Sequence, residues 1–215
     1  MDLKIIYEDE QLLVCRKPAG VATQTKRLGQ QDMESLLKNY RASKGEPSYI
    51  GVVHRLDQPV EGVMVFAKTK EAASDLSRQV QMKEADKFYY AVTDGVPVEK
   101  TGSLEDYLLR DGRTNTSKVV AEGTAGAKKA RLSYEVLAEN GTHAILKIQL
   151  DTGRHHQIRV QLANAGYPIV GDRKYNADAT ASSGGGLKLC SYKIGFTHPK
   201  THKKMEFEIE NSYEC

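Results

Sequence analysis

The stretch GVVHRLDQPVEGVMVFAKT, residues 51–69, sets His54, Arg55 and Asp57 between two apolar segments. Val52 and Val53 lead in, Val63, Met64, Val65 and Phe66 lead out, and a Gln58-Pro59 pair followed by Gly62 crosses the gap. Short apolar runs punctuated by Pro and Gly predict buried strands joined by a rigid turn. Asp57 then stands at the end of an apolar strand, where a carboxylate can be held and partly dried. An aspartate beside Gln-Pro also suits plain turn capping. The stretch alone leaves both readings open.

On the N-terminal side, IIYEDEQLLVCRKPAGVA reads as two short strands with a turn at Glu8–Gln11 and an exit turn at Lys17–Gly20. Asp32 is placed to cap a short helix whose apolar face is Met33, Leu36, Leu37 and Tyr40. Beyond the opening stretch, Thr69 starts a clearer helix with Ala72, Ala73, Leu76 and Val80 at helical spacing. KFYYAVTDGVP reads as a strand, and residues 118–121, 130–138 and 142–150 as further strands. After DTGR the period changes, so HHQIRVQLANAG, residues 155–166, predicts a helix. SSGGG at 182–186 reads as a flexible loop, and LKLCSYKIGFTHP with KKMEFEIE as a closing β pair. With no linker and no internal repeat, the expectation is one α+β domain over residues 1–215.

Composition excludes several classes. The chain has 215 residues, 40% hydrophobic and 27% charged, the balance of an ordinary soluble globular protein. No apolar run is long enough to span a bilayer, and the N-terminus is too acidic for a signal peptide. Cys15, Cys190 and Cys215 form no CxxC pair, which argues against a disulfide framework or a cysteine zinc site and for the cytoplasm. Net charge is only +3, but residues 110–131 and 187–204 are strongly basic strips. Such strips suit a polyanion, with a solvated face as the plain alternative.

Three further stretches concentrate reactive side chains. At strand spacing Lys87 and Tyr89 share one face while Phe88 and Tyr90 share the other. Thr152-Gly153-Arg154-His155-His156-Gln157-Ile158-Arg159 falls at a strand-to-helix junction, where backbone N–H groups and the helix dipole favour an anion. A metal is discounted there, because neighbouring histidines on a helix point about 100° apart. His198 and His202 have the spacing of a metal pair, but Pro199 and the nearby lysines argue for a solvated hairpin turn.

Taken in order, these stretches resemble the RluA family of RNA pseudouridine synthases: IIYEDEQLLVCRKPAGV, GVVHRLDQPVEGVMVFAKT, KFYYAVTDG, AKKARLSYEVL, LDTGRHHQIRVQLANAGYPIVGDRKY and LCSYKIGFTHP. HRLD and TGR-x-HQIR carry the most specific part of the resemblance. It implies a pseudouridine synthase fold, a central and mostly antiparallel sheet flanked by helices. It also implies an RNA-modifying isomerase whose catalytic carboxylate is Asp57, with Arg159 as its cationic partner and Tyr89 stacked on the uracil. Arg55 would help displace the target base. His54, Arg154, Lys128, Lys129 and Lys203 would contact RNA. No metal or organic cofactor is implied, and the partner would be a structured ribosomal or transfer RNA bound by a monomer.

Two departures stand out. Many members have Thr-Ser where this chain has Val60-Glu61; Glu61 turned inward would raise the pKa of Asp57, and turned outward would meet RNA or a structural arginine. Many relatives also begin with an S4-type RNA-binding domain, whereas the catalytic pattern here starts almost at Met1, so the expectation is that the catalytic domain itself grips RNA. Two rival classes stay open. One is a binding module that kept the fold without the chemistry; the other is a nucleosidase, which normally needs two carboxylates astride the bond.

Overall fold

A computed structural model of the chain describes residues 3–27, 29–177, 186–210 and 213–214. In chain order the elements are β1 (Lys4–Glu8), β2 (Leu12–Lys17), α1 (Met33–Ser43), β3 (Gly51–Val52), β4 (Glu61–Ala67), α2 (Lys70–Gln81), β5 (Asp86–Asp94), β6 (Thr101–Asp111), β7 (Thr116–Val120), β8 (Lys128–Glu139), β9 (His143–Leu150), α3 (Gln157–Asn164), β10 (Leu189–Thr197) and β11 (Lys204–Glu208). The class is α+β, as the sequence predicts. The chain folds as two compact units, Met1–Lys87 with Ser191–Glu210, and Phe88–Cys190 with the last residues of the chain.

In the first unit the strands run β1-β2-β4-β10, with β3 on β4 and β11 on β10. β2 pairs antiparallel with β4 from Leu12 opposite Ala67 to Lys17 opposite Gly62. Leu12, Val14, Val63, Val65 and Ala67 pack with Ala72 and Leu76 of α2 and with Ile194 and Phe196. The alternate residues Leu13, Cys15, Met64 and Phe66 are buried as well. β4 is therefore covered on both faces, which explains an unbroken VMVF run where a half-exposed strand would alternate. Each such side chain contributes about 1.5–3 kcal/mol when fully buried.

Both expected caps form. Asp32 accepts the Ser35 N–H at 2.8 Å and Thr69 accepts the Ala72 N–H at 3.1 Å, each worth about 1 kcal/mol. At the start of β4, Gly62 has φ +145°, and a Cβ there would lie 2.3 Å from the Ser191 carbonyl oxygen.

In the second unit the order is β5-β9-β8-β6-β7, and every pair is antiparallel. β6 escapes a sequence reading because TGSLEDYLLRD is mostly half-exposed and carries a glycine and three acids. α3 seats Val160 against Leu108 of β6 and Ala130 of β8. It begins two residues later than predicted, since His156 is left-handed at φ 53° and caps the helix through its backbone position alone. Residues 182–185 of the expected SSGGG loop lie outside the described residues.

Candidate active site

In the first unit Asp57 sits half-buried on a loop whose neighbours are fixed from both sides. Thr23 Oγ1 accepts the Leu56 N–H at 3.1 Å and donates back to the Leu56 carbonyl at 3.0 Å. Gln58 exchanges two bonds with Gly20: the Gly20 N–H donates to the Gln58 carbonyl and the Gln58 amide donates to the Gly20 carbonyl, each at 2.9 Å. Val60 N–H closes the turn on the Asp57 carbonyl at 3.0 Å.

Beneath this loop lies Lys17, with no exposed surface. Its ammonium donates to the carbonyls of Val21 at 2.6 Å, Pro18 at 3.0 Å and Gln58 at 3.1 Å. Burial pushes its pKa down to about 8, while the carboxylates of Asp57 and Glu61 pull it up. At neutral pH Lys17 is therefore a buried cation that interacts with the carboxylate of Asp57. Glu61 ion-pairs with Arg16 at 2.6 Å. Of the two expected fates for this residue, the structural arginine is the one observed. Arg55 is exposed.

His54 accepts the Val65 N–H at Nε2, 3.1 Å away. A main-chain N–H only donates, so the imidazole proton is on Nδ1. Burial first, and the charge of Lys87 second, push the pKa of His54 down to about 3. It is neutral at physiological pH.

In the second unit Tyr89 is buried on β5 opposite Ile148, while Phe88 and Tyr90 are half-buried. Arg159 is buried on α3 and forks onto Asp172, Nε to Oδ2 and Nη2 to Oδ1, both at 2.7 Å. Its guanidinium also lies 5.2 Å from the centre of the Tyr175 ring. The turn before α3 is tied by side chains: Gln157 Oε1 accepts from Thr152 Oγ1 at 2.7 Å and from the Arg154 N–H at 3.0 Å, and Gln157 Nε2 donates to the Arg131 carbonyl at 3.0 Å.

His155 and His156 do not diverge as helical neighbours would. Both precede the helix, and the left-handed His156 stacks their rings at 3.8 Å between centroids. Ser117 Oγ donates to the His155 carbonyl and lies 2.9 Å from His155 Nδ1, while His156 Nδ1 meets the Tyr175 hydroxyl at 2.8 Å.

The basic strips divide. In 187–204, Lys193 pairs with Glu206 at 2.8 Å and Lys200 with Glu10 at 3.1 Å, leaving Lys203 exposed. In 110–131, Lys129 pairs with Glu105 at 2.6 Å and Arg131 with Asp151 at 3.1 Å, and Lys128 is exposed. Arg154 is exposed too, anchored through Nε on the Lys129 carbonyl at 2.9 Å.

The 198–202 hairpin turn forms, but His198 is not solvated. It is buried, with Nε2 2.8 Å from Asp9 and Nδ1 accepting the N–H groups of Lys200 and Thr201. Both nitrogens are committed to the fold, which removes the metal-pair reading. Among the described residues no group of three or more His, Cys, Asp or Glu is placed to hold a metal ion.

A family model described as RNA pseudouridylate synthase matches residues 11–164, a span that includes the Asp57 loop, Tyr89 and Arg159. The chain belongs to this family. Ribosomal large subunit pseudouridine synthase D of Neisseria meningitidis is 34% identical over 97% of this chain and 58% of its own length. Its Pseudomonas aeruginosa namesake is 36% identical over 81% of this chain and 54% of its own. The chain thus spans little more than half the length of these curated relatives. Human RNA pseudouridylate synthase domain containing 4 superposes with a TM-score of 0.81 at 23% identity, covering 96% of this chain and 88% of that one, which shows the shared fold.

Two residues of this chain escape the sequence reading. Lys17 is visible only as a turn residue in Lys-Pro-Ala-Gly, since nothing in the sequence marks its ammonium as enclosed. Asp172 is hidden because it meets Arg159 from 13 residues away. An aspartate after Val-Gly in an apolar stretch was the available signal.

Proposed function

We propose that this chain isomerises uridine to pseudouridine in ribosomal or transfer RNA, with Asp57 as the catalytic carboxylate. The observation that carries the reading is the Asp57 loop, where a half-buried carboxylate is immobilised by bonds on both flanks and lies within the electrostatic reach of the buried Lys17 ammonium. The reaction breaks the N1–C1′ bond, turns the uracil and joins C5 to C1′; the proton lost from C5 is balanced by one gained at N1. Asp57 acts in its charged form, and Arg159, oriented by Asp172, supplies the cation that serves it. Tyr89 stacks on the uracil and assists loss of the C5 proton.

A base within a stem must first leave its stack, at a cost of a few kcal/mol. Arg55, exposed beside Asp57, offsets part of this by entering the vacated space. Arg154, Lys128, Lys129, Lys203 and His54 contact the backbone. The substrate is a structured stem-loop, and the enzyme acts in the cytoplasm as a monomer, with residues 1–215 as a single catalytic domain.

The test is tritium release from RNA labelled at uridine C5, comparing the native chain with Asp57→Asn. Release by the native chain and none by the variant is expected, with ribosomal and transfer RNA assayed separately to name the substrate. Equal release from both proteins would remove Asp57 from the mechanism. Free uracil as product would put a nucleosidase in its place, and no release from any RNA that still binds would leave a binding module.

A further inference from the structure

On the neighbouring strand β8 the cations are matched by acids, Lys129 by Glu105 and Arg131 by Asp151. Around the turn between β6 and β7 they are not. Arg110 lies on the same face of β6 as Leu108, which packs against Val160 of α3. Its Nη2 comes to 3.5 Å from Asn115 Oδ1. His155 Nε2 lies 3.2 Å from the same oxygen, and Lys174 Nζ donates to the Asn115 carbonyl at 2.6 Å. Three basic side chains from separate parts of the second unit thus converge on one neutral residue, itself left-handed at φ 51°.

The nearby acids are committed elsewhere. Asp111 accepts the Arg113 N–H at 2.8 Å inside the turn, and Asp172 is taken up by Arg159 and the Lys174 N–H. Among the described residues neither Arg110 nor Lys174 has a carboxylate partner. His155 adds to the positive charge. Ser117 Oγ lies 2.9 Å from both the His155 carbonyl and His155 Nδ1. The carbonyl only accepts, so it takes the single hydroxyl proton and leaves Nδ1 to donate to Oγ. Nε2 then faces a second acceptor, Asn115 Oδ1, and only the imidazolium has a proton for each. Turning the Asn115 amide would set its NH2 against the Arg110 guanidinium instead. Arg110, Asn115 and Lys174 are exposed and His155 is half-buried, so the cluster is open to a ligand.

We infer that Arg110, His155 and Lys174, gathered at Asn115, form an anion site that takes one phosphate of an RNA backbone. This rests on the proposed function in taking RNA as the ligand. Asn115 holds the donors together with neutral oxygens. A phosphate supplies what Asn115 lacks, a negative charge and oxygens that accept from several donors at once. Position 155 is the open place in the TGR-x-HQIR pattern, so the family resemblance gives it no role. Such a contact fixes where the strand lies and reads no base.

The experiment measures binding of unmodified ribosomal and transfer RNA across a range of KCl concentrations, in the Asp57→Asn background so that no turnover intervenes. Arg110→Gln combined with Lys174→Gln is expected to weaken binding at low salt by about 3- to 10-fold. It should also lower the slope of log K against log salt by about 0.7–0.9, the value of one lost phosphate contact. Lys4→Gln combined with Lys70→Gln removes the same charge from exposed lysines of the first unit and should leave the slope as it was. Lys174→Arg should also keep it. With Arg110 and Lys174 intact, inorganic phosphate should shift the His155 ring signals in the NMR spectrum, and in their double variant it should not.

An unchanged slope in the Arg110 and Lys174 double variant overturns the inference. An equal fall in the Lys4 and Lys70 pair overturns it too, because net charge alone would then account for the loss. A phosphate-dependent shift of His155 without a change of RNA slope would mean a site for a free anion, and would overturn the RNA assignment. Should the double variant fail to fold, each single substitution carries the same readings at smaller size. If the expected slopes appear but the chain with Asp57 intact releases no tritium, the proposed function fails and this site stands.

Discussion

The loop bearing Asp57 and the turn entering α3 hold reactive side chains by opposite means. Around Asp57 the fixing bonds join side chains to main-chain groups and are gathered largely by one ammonium and one hydroxyl, Lys17 and Thr23. At α3 the bonds run side chain to side chain or side chain to backbone, through Thr152, Gln157, Ser117, Tyr175 and Asp172. The first design concentrates its dependence on two residues and leaves Arg55 and Gln58 facing solvent. The second spreads it over many, each contributing a little, except for one buried charge pair.

Breaking that pair should have the largest effect. Asp172→Asn removes the carboxylate charge that forks onto the buried Arg159 guanidinium and should cost about 3–5 kcal/mol, measured by urea unfolding. Lys17→Met comes next. It strands three carbonyl groups and should cost about 2–4 kcal/mol. Its pH dependence sharpens the contrast. Since the folded pKa of Lys17 is lowered to about 8, the unfolded chain binds the extra proton between that pH and the ordinary lysine value. Native stability should therefore rise relative to Lys17→Met as pH climbs through that window, and remain offset by a constant amount below it.

Smaller still is Thr152→Val, which removes one hydroxyl from a shared network. A loss of about 1 kcal/mol is expected in the same assay. Arg55→Ala should change stability by less than about 0.5 kcal/mol, while lowering tritium release sharply. Equal losses from Lys17→Met and Thr152→Val would mean that the two regions are held alike.

Helix starts were legible in the sequence because capping is local. Asp32 and Thr69 act on amides three residues away, and both caps form as read. β4 was legible because burial on both faces writes an apolar run. The start of α3 was not, since the left-handed turn at His156 depends on what Ser117 and Tyr175 do to the two rings. The role of His198 was hidden for a similar reason: its partner, Asp9, is 189 positions distant. At the candidate site, the family pattern points to Asp57, Tyr89 and Arg159, but Lys17 emerges only once the chain is folded over it. Chemistry-bearing residues keep a recognisable order along the chain, whereas those that hold them are chosen by three-dimensional company.

The close approach at Gly62 carries a consequence for how this sequence can drift. Its side-chain direction points into the Ser191 carbonyl at 2.3 Å, a main-chain atom that cannot step aside, and its φ of +145° disfavours any L-residue independently. Position 61, by contrast, is held by a surface-reaching ion pair that other polar residues can replace. A saturation library at residues 61 and 62, selected only for folded protein, should therefore accept broad variation at position 61 and return glycine alone at 62.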